Sequence, residues 1–242
     1  MRAYVCFDDT DTLDCGRGTG KLGRWMADRL PEGCSSWGVV RQQLLVHPDI
    51  PMTSHNSSAC AVLDIPDASF VPALIDLGTS IIEENFFDGS DPGLCVATEE
   101  DVEALQRLVA FGHLAAVQVT DKAAAWEAAA GIHLSEHGGT GGGIIGAAAG
   151  VGLSHDGWSG RLIEYKHPLR EFARESGVAD LTAADMLVLA VDRNVGVPRP
   201  GDIVDTQNWL RPRIWGGRAA VPVRWTSEGR WEAIAHRPGA AV

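Results

Sequence analysis

The chain has 242 residues, 45% of them hydrophobic and 21% charged, which supplies one large folded core or two small ones and excludes a disordered chain. Its 20 basic and 32 acidic residues leave a net charge of −12, so it lacks the general field that captures nucleic-acid phosphates, and tRNA binding by this chain alone is disfavoured. The weakly polar run 141–153 is too short and too glycine-rich to span a membrane, and the start turns acidic before any leader-like apolar core forms. The 5 cysteines contain no CxxC pair and read as reduced thiols, so the expected location is cytoplasmic.

Residues 2–7, RAYVCF, are a short apolar run that suits a buried strand. Leu22, Trp25, Met26 and Leu30 recur at helical spacing over 20–30, and Pro31-Glu32-Gly33 ends that helix. Strands are predicted at 37–46 and 59–65, a helix at 67–78 with Pro72 near its first turn, and a strand at 93–98. This β-α-β-β-α-β order is that of a ferredoxin-like split unit. Helices at 99–112 and 121–131 follow, then a glycine block at 138–143, a small-residue helix through Gly150 and a strand at 160–167. From about residue 180 the pattern turns to strands, at 185–192, 219–225 and 230–236, and the segment after them reads as a frayed end. The expected fold class is α/β (α+β), with a body over 1–179 and a mainly β segment over 180–242 packed on it.

The chemistry begins at CFDDTDTLDCGRGTGKLG, residues 6–23, where Asp8, Asp9 and Asp11 crowd the end of the first strand. Three neighbouring carboxylates repel one another, and a hard divalent cation relieves that repulsion. Magnesium at phosphate sites uses one or two carboxylates together with phosphate oxygens. Helix capping is the plainer role for such a turn, but capping needs fewer carboxylates.

The following GRGTGK lacks the glycine and the Ser or Thr of a Walker loop, since Cys15 and Leu22 stand there. Gly18 and Gly20 still let backbone amides approach an anion, Lys21 adds charge, and a helix N-terminus follows. The block GGTGGGIIG holds GxGxxG at Gly141, Gly143 and Gly146, with Gly142 between, and suits either a phosphate or close helix packing. Glu164 lies downstream of it, but one acidic residue does not make a dinucleotide site. His133 and His137 are four apart without an HExxH motif and read as ordinary histidines. FDDTDTL also resembles the aspartyl-nucleophile motif of haloacid-dehalogenase phosphatases, although it is one residue short. The distant acidic pair of that motif is mis-spaced here, at Asp202 and Asp205.

Taken in order, CFDDTDT, GRGTGK, HNSSACAVLDI, DPGLCV, GGGIIGAAAGVGL and RLIEYKHP resemble the tRNA-isoleucine agmatidine synthetase family. The likeness is to its N-terminal kinase and ferredoxin-like regions and runs from about residue 3 to about residue 225. Members of that family use ATP to join agmatine to a wobble cytidine. The resemblance implies a nucleotide-binding, kinase-like α/β portion beside the ferredoxin-like unit. It also implies that Asp8, Asp9 and Asp11 bind Mg2+ and ATP, and that Thr19 matches an autophosphorylated threonine. The family's OB-fold and zinc ribbon have no counterpart in these residues.

The expected function is therefore an Mg-ATP-dependent phosphotransferase or ligase whose acceptor is a small molecule or a nucleotide. Asp8, Asp9, Asp11 and Thr19 are its catalytic candidates. Gly18, Gly20, Lys21, Gly141, Gly142, Gly143 and Lys166 are its nucleotide-binding candidates. A basic cluster at Arg161, Lys166, His167 and Arg170 is the one place where a nucleic-acid end would bind. A nucleotide sensor or scaffold without catalysis is the alternative, and a homo-oligomer or a protein partner is left open.

Overall fold

Apolar side chains alternate along the first strand, β1 (Arg2–Asp8), so both of its faces are buried. The computed structural model describes residues 1–12, 16–50, 55–192 and 194–234. After β1 come α1 (Gly20–Asp28), β2 (Ser35–Gln43), β3 (Ser57–Asp64), α2 (Val71–Glu84) and β4 (Gly93–Thr98). β1 pairs antiparallel with β3 on one side and β4 on the other, and β2 pairs antiparallel with β3. The resulting order β4-β1-β3-β2 is the split arrangement that the element order implied.

The period of two sends Ala3, Val5 and Phe7 to one face of the sheet. There they meet Leu22 and Met26 of α1 and Leu74, Ile81 and Ile82 of α2. Tyr4 and Cys6 go to the opposite face, which is covered by α3 (Val102–Ala115), α4 (Lys122–Ala128) and α5 (Gly143–Asp156). Cys6 stands between Cys60 of β3 and Cys95 of β4 in register, and all three are buried free thiols. A short strand before α5, β5 (His133–Glu136), extends the sheet beyond β4.

α5 is built almost wholly of glycine, alanine and a few aliphatic residues, and ten of its side chains or glycines are buried. Small residues let it lie unusually close to its neighbours. A Cβ at Gly152 would overlap the backbone carbonyl of Leu108 in α3. The helix expected through Gly150 thus runs on to Asp156, and its glycines are contact points.

The remaining elements are β6 (Arg161–Tyr165), β7 (Glu175–Gly177), α6 (Val178–Ala183), β8 (Leu187–Ala190), β9 (Ile203–Asp205), β10 (Arg213–Trp215), β11 (Arg218–Trp225) and β12 (Trp231–Ala233). β6 pairs with the free edge of β2, and the sheet continues through β10, β11, β12, β9 and β7. Strands from both sides of residue 179 therefore belong to one sheet. Asp202 and Asp205, the mis-spaced pair of the phosphatase motif, hold this region together. Asp202 accepts from Trp231 Nε1 at 3.0 Å, and Asp205 pairs with Arg174 at 3.2 Å. Among the described residues no helix is long and apolar enough to cross a membrane. The frayed end expected over 236–242 lies outside the described residues, as does Cys15.

Candidate functional site

β1 delivers Asp8 to the face that carries Tyr4 and Cys6, so its carboxylate is aimed at α5 and is buried. The chain then reverses at Asp9, whose φ of 50° lies in the left-handed region that non-glycine residues rarely adopt. The Asp9 carbonyl accepts from Asp91 N at 3.1 Å, which ties this turn to the segment ahead of β4. The sheet around β1 is antiparallel, unlike the open parallel sheets in which strand ends hold ligands, yet the same strand end borders a cleft.

That cleft has a volume of about 480 Å³. Asp8, Asp9 and Asp11 line it from the first turn, and Gly18, Thr19 and Gly20 line it from the head of α1. Gly142, Gly143 and Gly146 enter from the head of α5. Two helix N-termini thus border one space, and each presents backbone N–H groups that have no partner within the helix.

Burial pushes the Asp8 carboxyl up to about 8, with the charges of Asp9 and Asp11 adding to it. Burial, then Asp91 and Asp11, push Asp9 up to about 6. Asp11 is also raised by burial, against the pull of the Arg17 guanidinium. The three carboxylates share a cleft. Among the described residues no group of three or more His, Cys, Asp or Glu side chains is arranged to hold a metal ion. A cation here would take part of its coordination from elsewhere, which is the habit of magnesium at phosphate sites.

Thr19 is buried beside this turn. Its hydroxyl accepts from Thr10 Oγ1 at 3.3 Å, and its side chain hydrogen-bonds the Asp11 carboxylate. Lys21 is not among the cleft residues, and its ammonium sits 5.5 Å from the centre of the Trp25 ring. Gly141 stands at a φ of 75° against Glu136 and also lies outside the lining. Lys166 is elsewhere, ion-paired to Asp185 at 2.8 Å, and Glu164 is paired with Arg24 at 3.3 Å. Ser135 bridges His133 and His137 at 2.9 and 2.7 Å.

Several lining residues have no local motif to announce them. Asp91 accepts from Thr140 N at 2.7 Å and also from its hydroxyl, which fastens the glycine block ahead of α5. Arg41 comes from β2 and donates to Ser57 Oγ at 2.8 Å. Ser58 is fully buried on β3, and its hydroxyl has no hydrogen-bond partner among the described residues.

No protein-family model matches the chain, and no curated protein is significantly similar to it. Solved structures are similar. One is a tRNA fluorescent labeling enzyme, 27% identical with a TM-score of 0.56 over 74% of this chain and 42% of that one. Another is TiaS, a tRNA agmatidine synthetase, in complex with its tRNA and ATP, 28% identical, TM-score 0.55, covering 72% of this chain and 41% of that one. The chain has a TiaS-like core. A further TiaS complex, with tRNA, AMPCPP and agmatine, is 26% identical with a TM-score of 0.54 and covers 76% and 44% of the two chains. The chain thus spans less than half the length of the TiaS chains it matches. The TiaS-like core is the likeness implied by the order of motifs from the acidic turn onward.

Proposed function

We propose that this TiaS-like core is an ATP-dependent transferase or ligase that holds ATP in the cleft between the heads of α1 and α5. One observation carries the reading: two helix N-termini border the same space as three crowded carboxylates. Helix N-termini favour anions, whereas Asp8, Asp9 and Asp11 repel them. A polyphosphate accompanied by a divalent cation satisfies both halves of that surface. The solved TiaS complexes with ATP and AMPCPP support the choice of nucleotide.

The residues present fit magnesium. Asp8, Asp9 and Asp11 line one side of the cleft, and the Ser58 hydroxyl, without a hydrogen-bond partner among the described residues, is a further polar group at its wall. Asp9 and Asp11 would hold the ion, which when bound would neutralise charge on the phosphates. Backbone N–H groups at Gly18, Gly20 and Gly142 would orient the phosphate chain, while that of Gly143 donates to the Asp91 carbonyl at 3.1 Å. Phosphoryl transfer asks chiefly for positioning and charge neutralisation, which is what such a cradle supplies.

Thr19, which lines the cleft, would take a phosphoryl group. Its oxygen bonds to the γ-phosphorus, the bond to the β–γ bridging oxygen breaks, ADP leaves, and the Thr19 proton passes to Asp11. Asp11 already hydrogen-bonds the Thr19 side chain, so that transfer needs no rearrangement. Passage of the group to an acceptor, a small molecule or a nucleotide, would complete the reaction.

ATP consumption by the purified chain, measured with agmatine, nucleosides or tRNA as acceptor, tests this reading. Turnover beyond one equivalent with at least one acceptor, lost in Asp9→Asn, is expected. ATP bound at one equivalent and never consumed would instead identify a sensor or scaffold.

A further inference from the structure

A second pocket, of about 250 Å³, is lined by α1, β6 and the segments 168–171 and 209–211. Arg24, Arg161, Arg170 and Arg211 all border it, in a protein whose net charge is −12. Two carboxylates share the lining. Glu164 is engaged by Arg24 at 3.3 Å, and Glu171 makes no ion pair among the described residues. Arg161, Arg170 and Arg211 likewise form no ion pair among the described residues, and the Nε of Arg211 is buried without a hydrogen-bond partner.

The sheet adds to this concentration of charge. Arg161 on β6 stands directly opposite Arg41 on β2 and opposite Arg213 on β10, so three arginines form one row across three strands. Like charges in direct cross-strand register destabilise a sheet. Burial, followed by Arg41, Arg211 and Arg213, lowers the pKa of Arg161, which marks a cation short of compensation. A solvated arginine surface would explain exposed side chains, but it leaves the half-buried Arg161 and the orphaned Nε of Arg211 unexplained. Trp209 holds part of the cluster in place, with Arg211 3.6 Å and Arg170 6.0 Å from its ring centre.

We infer that this pocket is an anion site for a phosphate group, distinct from the ATP cleft and joined to it through the pair Arg41 and Arg161. Arginine forks match phosphate oxygens in paired hydrogen bonds, and a phosphate supplies the acceptor that Arg211 Nε lacks. Arg41 lines the first cleft while its strand partner lines the second pocket, so one ligand can touch both. The phosphate is a monoester of a free nucleotide or a diester of a nucleic-acid strand. Binding here does not depend on ATP occupying the cleft.

The test is an NMR titration of the full chain that follows the Trp209 indole N–H, assigned by its loss in Trp209→Phe. Inorganic phosphate, uridine 5′-monophosphate, uridine and a short single-stranded RNA are the probes. The signal should move saturably with the three phosphate-bearing probes and not with uridine. Arg161→Gln and Arg170→Gln should each weaken that binding about tenfold, the scale of one lost charge-assisted hydrogen bond. The exposed Arg170 keeps the test decisive if Arg161→Gln fails to fold. RNA binding tighter than that of the mononucleotide, with a steep salt dependence, identifies a diester, and equal affinities identify a monoester. A signal that no phosphate moves, or that moves in both variants just as in the unaltered chain, overturns the site. Unchanged ATP affinity in Asp9→Asn, with this response intact, would count against the ATP cleft alone.

Discussion

Asp8 occupies the space that a side chain at Gly146 would need: a Cβ on Gly146 would overlap Asp8 Oδ2. A carboxylate therefore fits beneath α5 only because α5 has no side chain there.

Gly146→Ala is accordingly expected to destabilise the chain by about 1–3 kcal/mol, the usual cost of overpacking a close contact. It should also weaken ATP binding by displacing Asp8. Urea unfolding measures the first effect, and Asp8→Gly in the same chain should restore most of the loss. A Gly146→Ala chain of unchanged stability would mean that Asp8 leaves its place freely.

Acid should stabilise the ligand-free chain. The folded protein holds protons on Asp8 up to about pH 8 and on Asp9 up to about pH 6, where burial has raised both. The unfolded chain releases the same protons near pH 4. Between those limits the folded state binds more protons, so its stability falls as pH rises through the window. Melting temperatures across pH 4 to 8 should show that decline, and Asp8→Asn should flatten it. Mg-ATP should act in the opposite sense, stabilising more at higher pH, where the carboxylates are ionised. A melting temperature that rises steadily through this window would contradict the burial of Asp8.

The first unit was legible because its strands announce themselves. RAYVCF and GLCVAT alternate between two buried faces, and the second strand falls at 93–98 as read. β5 was hidden because three of its four residues, His133, Ser135 and Glu136, are polar and only Leu134 is buried. β7, β9 and β10 have three residues each, too few to show a period. The end of α5 was misplaced because glycine disfavours helix in isolation, whereas here it permits contact with β1 and α3.

The candidate site divides in the same way. Asp8, Asp9, Asp11, Gly18, Thr19 and Gly20 form one local run and could be read together. Asp91, Arg41 and Ser58 reach the cleft only through strand pairing and the loop ahead of β4, so no local pattern marks them. Lys21 and Lys166 carry the right charge for phosphates. Trp25 and Asp185 are what their ammonium groups face instead.

Asp91→Ala should loosen the glycine block, because Thr140 loses the acceptor of both its backbone N–H and its hydroxyl. A loss of roughly 1–2 kcal/mol in stability is expected. Amide exchange should speed up over residues 138–143 while β1 and β3 stay protected. Uniform loss of protection throughout the chain would show that Asp91 supports the whole fold.

Incubation with Mg-ATP should place a single phosphate on Thr19, visible by mass spectrometry of the intact chain and its peptides. The product should be absent in Thr19→Ala and reduced in Asp11→Asn, which removes the proposed base. Phosphate on Thr12 or on neither residue would remove the relay through Thr19 while leaving the cleft in place.

Calorimetric titration of the full chain with ATP, with magnesium and again with EDTA, tests the cleft most directly. One ATP should bind per chain when magnesium is present, and both EDTA and Asp9→Asn should weaken that binding by about tenfold or more. Equal affinity with and without magnesium, unchanged in Asp9→Asn, would contradict the placement of ATP between the heads of α1 and α5.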